Sequence, residues 1–166
     1  MSKPNGTERL RAVEDTTPTP EPNNSNGPFT SFFYGTLMAP EVLFSVIYGR
    51  KNPGKVFEDL HTFHPAILDN HARRVLAFAD YPGVVPQEGE SVQGVYVTGL
   101  TDANMERLDI FEGSEYVREK VKVRLLENGE TRETEVYIYL HAEDLKEGEW
   151  DFEHFKKEKL ALWSRE

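Results

Sequence analysis

A glutamate placed where a helix ends beside an aromatic residue is a candidate for acid–base chemistry. Glu112 lies between Phe111 and Gly113 in the stretch LDIFEG, after residues with helical spacing. The negative end of the helix dipole and an apolar neighbour would both raise the pKa of its carboxyl. Such a group exchanges protons near neutral pH, so Glu112 is a candidate proton shuttle. Most glutamates at helix ends are instead solvated surface groups, and this interpretation also applies to Asp109 and Glu115.

A second candidate is the turn in SFFYGTLMAPEVL, where an aromatic strand changes into a helix at Tyr34 and Gly35. Glycine lets the chain turn without a Cβ in the way, and Pro40 suits the first turn of the helix that follows. The N–H groups of Gly35, Thr36 and Leu37 could then converge on a carboxylate or carbonyl oxygen. By itself, such a turn is more often a plain connection between a strand and a helix.

Three tyrosines could line a cleft with their hydroxyl groups. Tyr81 lies in YPGVVP, Tyr116 follows the LDIFEG stretch, and Tyr139 ends an alternating segment. Each of them could equally be a core residue, because tyrosine is commonly buried.

Other kinds of active site are disfavoured by the sequence. His61 and His64 are three residues apart in a segment that looks extended, so their side chains would point to opposite faces of a sheet. We therefore expect no metal site. The chain also has no G-x-S-x-G nucleophile elbow, no G-x-G-x-x-G dinucleotide fingerprint and no cysteine nucleophile.

The elements that must position these residues follow from local patterns. Thr101 is a plausible N-cap and Gly113 a plausible C-terminal stop for a helix that ends at Glu112. Further helices are predicted over 39–48 and 150–163, the last with Asp151 as its cap. Strands are predicted at 32–34, in β-rich segments between 55 and 100, at 116–126 and at 131–142, with turn residues over 80–90 and a hairpin at 127–130.

Length, composition and charge limit the classes of function. The 166 residues suffice for one compact domain, and a formal net charge of −10 disfavours nucleic acid and anionic membranes as partners. Residues 1–28 contain five prolines and few apolar side chains, so they are predicted to be a disordered tail before a domain at 29–166. No signal peptide or membrane span is evident, and we expect a soluble, cytoplasmic protein.

The motifs carry a family resemblance. The stretches FFYGTLM, YPGVVP, GVYVTGLTDANMERLDIFEGSEYVREKVKV and GEWDFEHFKKEKL together resemble the gamma-glutamylcyclotransferase-like superfamily, nearest its avirulence-induced-protein-like branch. The resemblance implies an α/β (α+β) fold, with a small, mixed, barrel-like β-sheet and a few flanking helices. It also implies that the backbone amides of Tyr34, Gly35, Thr36 and Leu37 hold the glutamyl part of a substrate, and that Glu112 is the acid/base residue.

The implied activity needs no cofactor. A γ-glutamyl amino acid or amine would be cyclised to 5-oxoproline by attack of its own α-amine, with release of the free amine. Thr36 stands where better-known members of the superfamily have serine, and it keeps the hydroxyl group. The alternative is a non-catalytic domain that binds a small γ-glutamyl or carboxylate ligand as a sensor. The sequence leaves the leaving group and the oligomeric state open.

Overall fold

The computed structural model describes residues 27–77, 81–146 and 150–158. The strands are β1 Gly27–Phe33, β2 Phe63–Leu76, β3 Pro82–Gly99, β4 Tyr116–Leu125, β5 Thr131–Tyr139 and β6 Leu145–Lys146. The α-helices are α1 Pro40–Tyr48, α2 Lys55–Glu58, α3 Asp102–Glu112 and α4 Phe152–Glu158, and short 3₁₀ helices cover Thr36–Met38 and Ala142–Asp144.

The sheet is a closed, mixed barrel. Its strand order is β3-β1-β5-β4-β2-β6, and β2 also pairs with β3, which joins the first five strands into a ring. Strands β1 and β5 pair in parallel, and the other pairings between these strands are antiparallel. The longest pairing runs between β2 and β3, from Phe63 opposite Val97 to Val75 opposite Pro82. The structure therefore confirms the predicted mixed, barrel-like α+β fold.

Two hydrophobic clusters fill the two sides of the barrel wall. Alternate residues of one strand enter different clusters: Phe32 belongs to a cluster made of strand residues, and Phe33 to a cluster that also contains side chains of α1, α3 and α4. Strand β5 divides in the same way, with Val136 and Ile138 in the first cluster and Tyr137 in the second. This period of two places consecutive side chains on opposite faces of the sheet, so the helices cover the outer face.

Local signals fix the ends of the helices that flank the site. Pro40 occupies the first turn of α1, and Gly49 ends it with a φ of 79°. Thr101 and Asn104 form a capping box at the start of α3, and Gly113, with a φ of 81°, ends it. The predicted start and end of α3 are therefore both confirmed.

Two predictions about secondary structure are wrong. Residues 82–90, expected as turn residues, belong to β3. Its Pro86 pairs with His71 next to a register shift in β2, where a residue without an N–H group is tolerated. Lys55–Glu58, predicted as the start of a β-rich segment, forms the single helical turn α2.

The ends of the chain are described in part. The predicted tail lies outside the described residues except for its last two, because β1 begins at Gly27, which pairs with Gly99. The final helix is described as α4, with Trp150 and Phe155 buried and the Asp151 carboxylate accepting a hydrogen bond from the backbone N–H of His154. The predicted continuation of this helix to 163 lies outside the described residues. Within the described ranges, no helix has both the length and the apolar character needed to cross a membrane.

Candidate active site

A cavity of about 490 Å³ opens between the loop after β1, the end of α3 and the neighbouring ends of β3, β4 and β5. All eight residues predicted from the sequence to bind substrate or transfer protons line it: Tyr34, Gly35, Thr36, Leu37, Tyr81, Glu112, Tyr116 and Tyr139. The lining also includes Phe32, Phe33, Leu76, Pro82, Phe111, Glu115, Tyr137 and Asp144. The fold thus brings residues from distant parts of the sequence to one concave site, as is typical of small-molecule pockets.

The loop after β1 presents N–H groups that the described part of the chain leaves without an acceptor. Its carbonyls are engaged, because Met38 N donates to Gly35 O at 3.0 Å and Ala39 N to Thr36 O at 3.1 Å. The N–H groups of Gly35, Thr36 and Leu37 donate to no group in the described residues. Thr36 and Leu37 are also buried, with 6% and 2% of their surface exposed. Unpaired N–H groups at buried positions are rare, so those of Thr36 and Leu37 indicate a place for a bound acceptor, with the N–H of the partly exposed Gly35 beside them.

A close approach of the neighbouring strand favours glycine at position 35. The φ of Gly35 is −123°, which other residues can adopt. A Cβ at this position would lie 3.1 Å from Cγ and 3.2 Å from Cδ of Pro82, the first residue of β3. The loop therefore packs directly against the β3 wall of the cavity, and a side chain would push the two apart.

Tyr34 anchors the loop through hydrogen bonds to neighbouring strands. Its hydroxyl donates to the carbonyl of Tyr137 at 2.7 Å, and its own carbonyl accepts a hydrogen bond from Arg73 Nη1 at 2.8 Å. Burial raises the pKa of this phenol well above its usual value. Tyr34 therefore stays neutral and holds the loop to β5 and β2.

Glu112 is the last residue of α3, and its carboxyl faces the cavity without a hydrogen-bond donor in the described part of the chain. Burial, and then the negative charge of Asp109, raise its pKa to about 8. The direction of this shift agrees with the prediction, and the apolar neighbour Phe111 is indeed part of the cavity wall. The charge of Asp109 is an additional cause that the sequence pattern does not indicate.

The tyrosines form the walls of the cavity and satisfy their hydroxyls mainly within the protein. Tyr116 donates to Pro82 O at 2.9 Å, and Tyr139 donates to Asp144 Oδ2 at 3.1 Å. The rings of Tyr116 and Tyr139 meet edge to face at 5.1 Å. Tyr81 is 38% exposed at the rim. The wall is thus aromatic and fixed in position.

Sequence reasoning missed several lining residues, above all Tyr137. This residue is two positions before Tyr139 in an alternating strand, so the period of two places both side chains on the same face of β5. That signal could have added Tyr137 to the candidate residues. Leu76 and Asp144 reach the site through tertiary pairing, since β6 pairs with the end of β2. No local pattern indicates these two.

The histidines are used within the protein. His61 Nε2 lies 2.6 Å from the Tyr48 hydroxyl, and its Nδ1 lies 3.1 Å from Thr98 O. His64 instead contacts Glu127, with Nδ1 3.1 Å from Oε2. In the described ranges, no three His, Asp or Glu side chains are arranged to hold a metal ion.

The closed mixed barrel with a few flanking helices is the fold of gamma-glutamylcyclotransferase-like proteins. The sequence comparison agrees. The family model described as "Gamma-glutamyl cyclotransferase, AIG2-like" matches residues 31–152, and the chain belongs to this family.

Curated relatives and solved structures support the assignment. Protein AIG2 B of Arabidopsis thaliana is 33% identical over 127 residues, which cover 76% of this chain and 69% of that protein. A solution structure of another Arabidopsis thaliana protein shares 30% identity and a TM-score of 0.61, covering 80% of this chain and 76% of that one. A structure titled "Gamma-glutamyl cyclotransferase" has a TM-score of 0.55 and 18% identity, covering 71% of this chain and 68% of that one, and shows the shared fold.

Proposed function

We propose that this protein is a cyclotransferase that converts a γ-glutamyl amino acid or γ-glutamyl amine into 5-oxoproline and the free amine. One observation carries the proposal. A carboxyl with a pKa raised to about 8 and a loop with three unpaired N–H groups line the same cavity. The first is suited to transfer a proton near neutral pH, and the second to bind an oxygen anion.

The reaction is an intramolecular acyl transfer. The α-nitrogen of the substrate attacks the γ-carbonyl carbon, a new C–N bond closes a five-membered ring, and the C–N bond to the leaving amine breaks. Glu112, in its carboxylate form, takes one proton from the α-ammonium and donates it to the leaving nitrogen. The second proton that the α-nitrogen loses on becoming the ring amide also ends on the released amine, which leaves as an ammonium ion. Because nucleophile and electrophile belong to one molecule, correct positioning supplies much of the rate, and the chemistry requires no covalent enzyme intermediate.

The loop is proposed to position the substrate. Its N–H groups at Gly35, Thr36 and Leu37 would hold the glutamyl part and stabilise the charge that develops on the γ-carbonyl oxygen. The aromatic wall limits the access of water, which favours ring closure over hydrolysis of the amide bond. Tyr81, Tyr116 and Tyr139 would then act as binding surfaces for the substrate rather than as proton donors.

A product screen tests this proposal. The purified protein is incubated with separate γ-glutamyl amino acids, γ-glutamyl amines and glutathione, and 5-oxoproline is measured by mass spectrometry, with the Glu112→Gln variant as the matched blank. We expect 5-oxoproline and free amine in equal amounts from at least one compound, and little or none with the variant. Binding of a panel member without release of 5-oxoproline would overturn the proposal in favour of a ligand-binding sensor.

A further inference from the structure

Two motif residues outside the cavity lining form a contact that the proposed function does not use. Asp109 of LDIFEG and Arg118 of the following stretch GSEYVREKVKV meet in a forked ion pair, with Nε 2.9 Å from Oδ1 and Nη2 3.1 Å from Oδ2. The Tyr137 hydroxyl donates to the same Oδ1 at 2.7 Å. A solvated surface group is the usual interpretation of an aspartate at this position. The Asp109 side chain is 42% exposed, and three donors from β4 and β5 also engage its carboxylate.

This cluster is connected to both parts of the proposed site. Asp109 lies one helical turn before Glu112, and its carbonyl accepts the hydrogen bond from Gly113 N that ends α3. On the other side, Tyr137 lines the cavity and its carbonyl accepts the hydroxyl of Tyr34, next to the loop. Two hydrogen bonds, one to the hydroxyl and one to the carbonyl of Tyr137, thus join the end of α3 to the start of the loop through β5.

Arg118 is itself held in place by other contacts, which makes its ion pair with Asp109 rigid. It pairs across the sheet with Tyr137, and its Nη1 lies 2.8 Å from Glu135 Oε1. The side chain of Arg118 is 25% exposed, so its charge is partly shielded from water. A guanidinium fork bound at both ends fixes direction as well as distance, which a lysine cannot do.

We propose that Asp109 is a positioning residue: clamped by Arg118 and Tyr137, its carboxylate fixes the last turn of α3 against β4 and β5 and so sets the orientation and charge state of Glu112 in the cavity. This inference rests on the proposed role of Glu112. It goes beyond that role because it assigns a function to Asp109 and Arg118, neither of which lines the cavity.

The charges near Glu112 change its pKa in a direction that can be stated. The groups that face Glu112 are Asp109 on α3, Tyr34 before the loop, Tyr116 on β4 and Tyr137 on β5, with Glu115 also on the cavity wall. The negative charge of Asp109 raises the pKa of Glu112. We expect the Arg118 guanidinium, whose Nε lies 2.9 Å from Asp109 Oδ1, to limit that effect by offsetting part of the charge. Removing the Asp109 charge should therefore lower the pKa of Glu112, and weakening the fork should raise it.

The test measures the pKa of the Glu112 carboxyl directly. Protein labelled with ¹³C at glutamate carboxyls is titrated by NMR, with the Glu112 signal assigned by its loss in Glu112→Gln. We expect Asp109→Asn to lower the pKa of Glu112 by about 0.5 to 1 pH unit and Arg118→Lys to raise it by a smaller amount. Glu106→Gln, which removes an exposed carboxylate one turn earlier on the same helix, is the matched control and should leave the titration unchanged.

The activity readout separates this inference from the proposed function. Where 5-oxoproline is formed, the rise of kcat/KM with pH should move with the NMR pKa in both variants. Where it is not formed, the proposed function fails, and the NMR titration still decides the inference. If Asp109→Asn does not fold, Arg118→Lys carries the test alone. A Glu112 titration that stays within about 0.2 pH unit of wild type in every folded variant would reduce Asp109 to a structural ion pair and overturn the inference.

Discussion

Two polar regions of this molecule differ in how their polar groups are satisfied. Around His61, 5% exposed, both ring nitrogens have partners, the Tyr48 hydroxyl at 2.6 Å and Thr98 O at 3.1 Å. Around Glu112, the carboxyl and the loop N–H groups have no partner in the described residues. The first region stabilises the fold, because its hydrogen bonds close within the protein. The second leaves its polar groups open to the cavity, where water or a bound ligand can supply the missing partners.

The largest effect is expected for Gly35→Val, which tests whether the loop after β1 forms part of the binding site around Glu112. In Gly35→Val, the new side chain meets Pro82 and must displace either the loop or the wall of the cavity. We expect binding of γ-glutamyl ligands and turnover to fall below detection while the circular dichroism spectrum is retained. Isothermal titration calorimetry measures the binding, and Gly35→Ala, with one carbon, should show a smaller loss. Full activity of Gly35→Val would remove the loop from the site.

Glu112→Gln tests the proton transfer alone. The amide keeps the size of the side chain and cannot take the α-ammonium proton. We expect turnover to fall by roughly a hundredfold or more, with the ligand dissociation constant changed only a few-fold. Glu115→Gln is the control, because Glu115 lines the same cavity but lies 3.1 Å from His141, and it should keep most of the activity. Turnover of Glu112→Gln near the wild-type rate would place proton transfer elsewhere.

Glu112→Gln should also stabilise the fold at high pH, in contrast to substitutions around His61. The pKa of Glu112 is about 8 in the folded protein and 4.5 when the carboxyl is solvated, so the unfolded chain ionises first as pH rises. Glu112 therefore costs stability increasingly from pH 4.5 up to about 8. We expect Glu112→Gln to raise the free energy of unfolding by roughly 1 to 3 kcal/mol more at pH 8 than at pH 4. Guanidinium denaturation at both pH values measures this difference, and an equal effect at both would show that Glu112 is solvated.

Around His61, we expect a substitution to lower stability and leave turnover unchanged. Tyr48→Phe removes the hydroxyl that contacts His61 and leaves a buried nitrogen without a partner. We expect the free energy of unfolding to fall by about 1 kcal/mol, with turnover unchanged. Thermal denaturation and the 5-oxoproline assay measure the two quantities on one sample. A loss of turnover with intact stability would contradict the division between the regions.

Deletion of residues 1–26 should have the smallest effect. Their composition offers little apolar surface to bury, so the melting temperature and turnover should both stay close to those of the full chain. Differential scanning calorimetry of the two forms measures the change. A large fall in melting temperature would show that this segment packs on the domain.

Much of the site could be read from the sequence because each part depends on local chemistry. The capping box at Thr101 and the glycine at 113 define α3, and its end fixes the position of Glu112. The family resemblance joins this residue to the loop at Tyr34–Leu37, and the structure places both at one cavity. The roles assigned to them stay predictions until the variants are measured.

Features that depend on contacts between distant segments could not be predicted from local patterns. The turn residues over 82–90 became part of a strand because pairing with β2 overrides their weak local preference. The partners of Asp109 come from β4 and β5, which follow it in the chain, and their contact depends on how α3 packs on the sheet.

The sequence by itself determined the family, through the order of its motifs, and the residues able to do chemistry, through capping and alternation. The mixed barrel with flanking helices was implied by the family resemblance. Only the tertiary structure decided which of those residues lack partners. A side chain at position 35 would meet Pro82 because β3 brings that residue against the loop. Glu112 has a raised pKa because the folded chain surrounds it and places Asp109 nearby. These are consequences of closing the barrel, since burial and electrostatic coupling arise when distant segments meet in space.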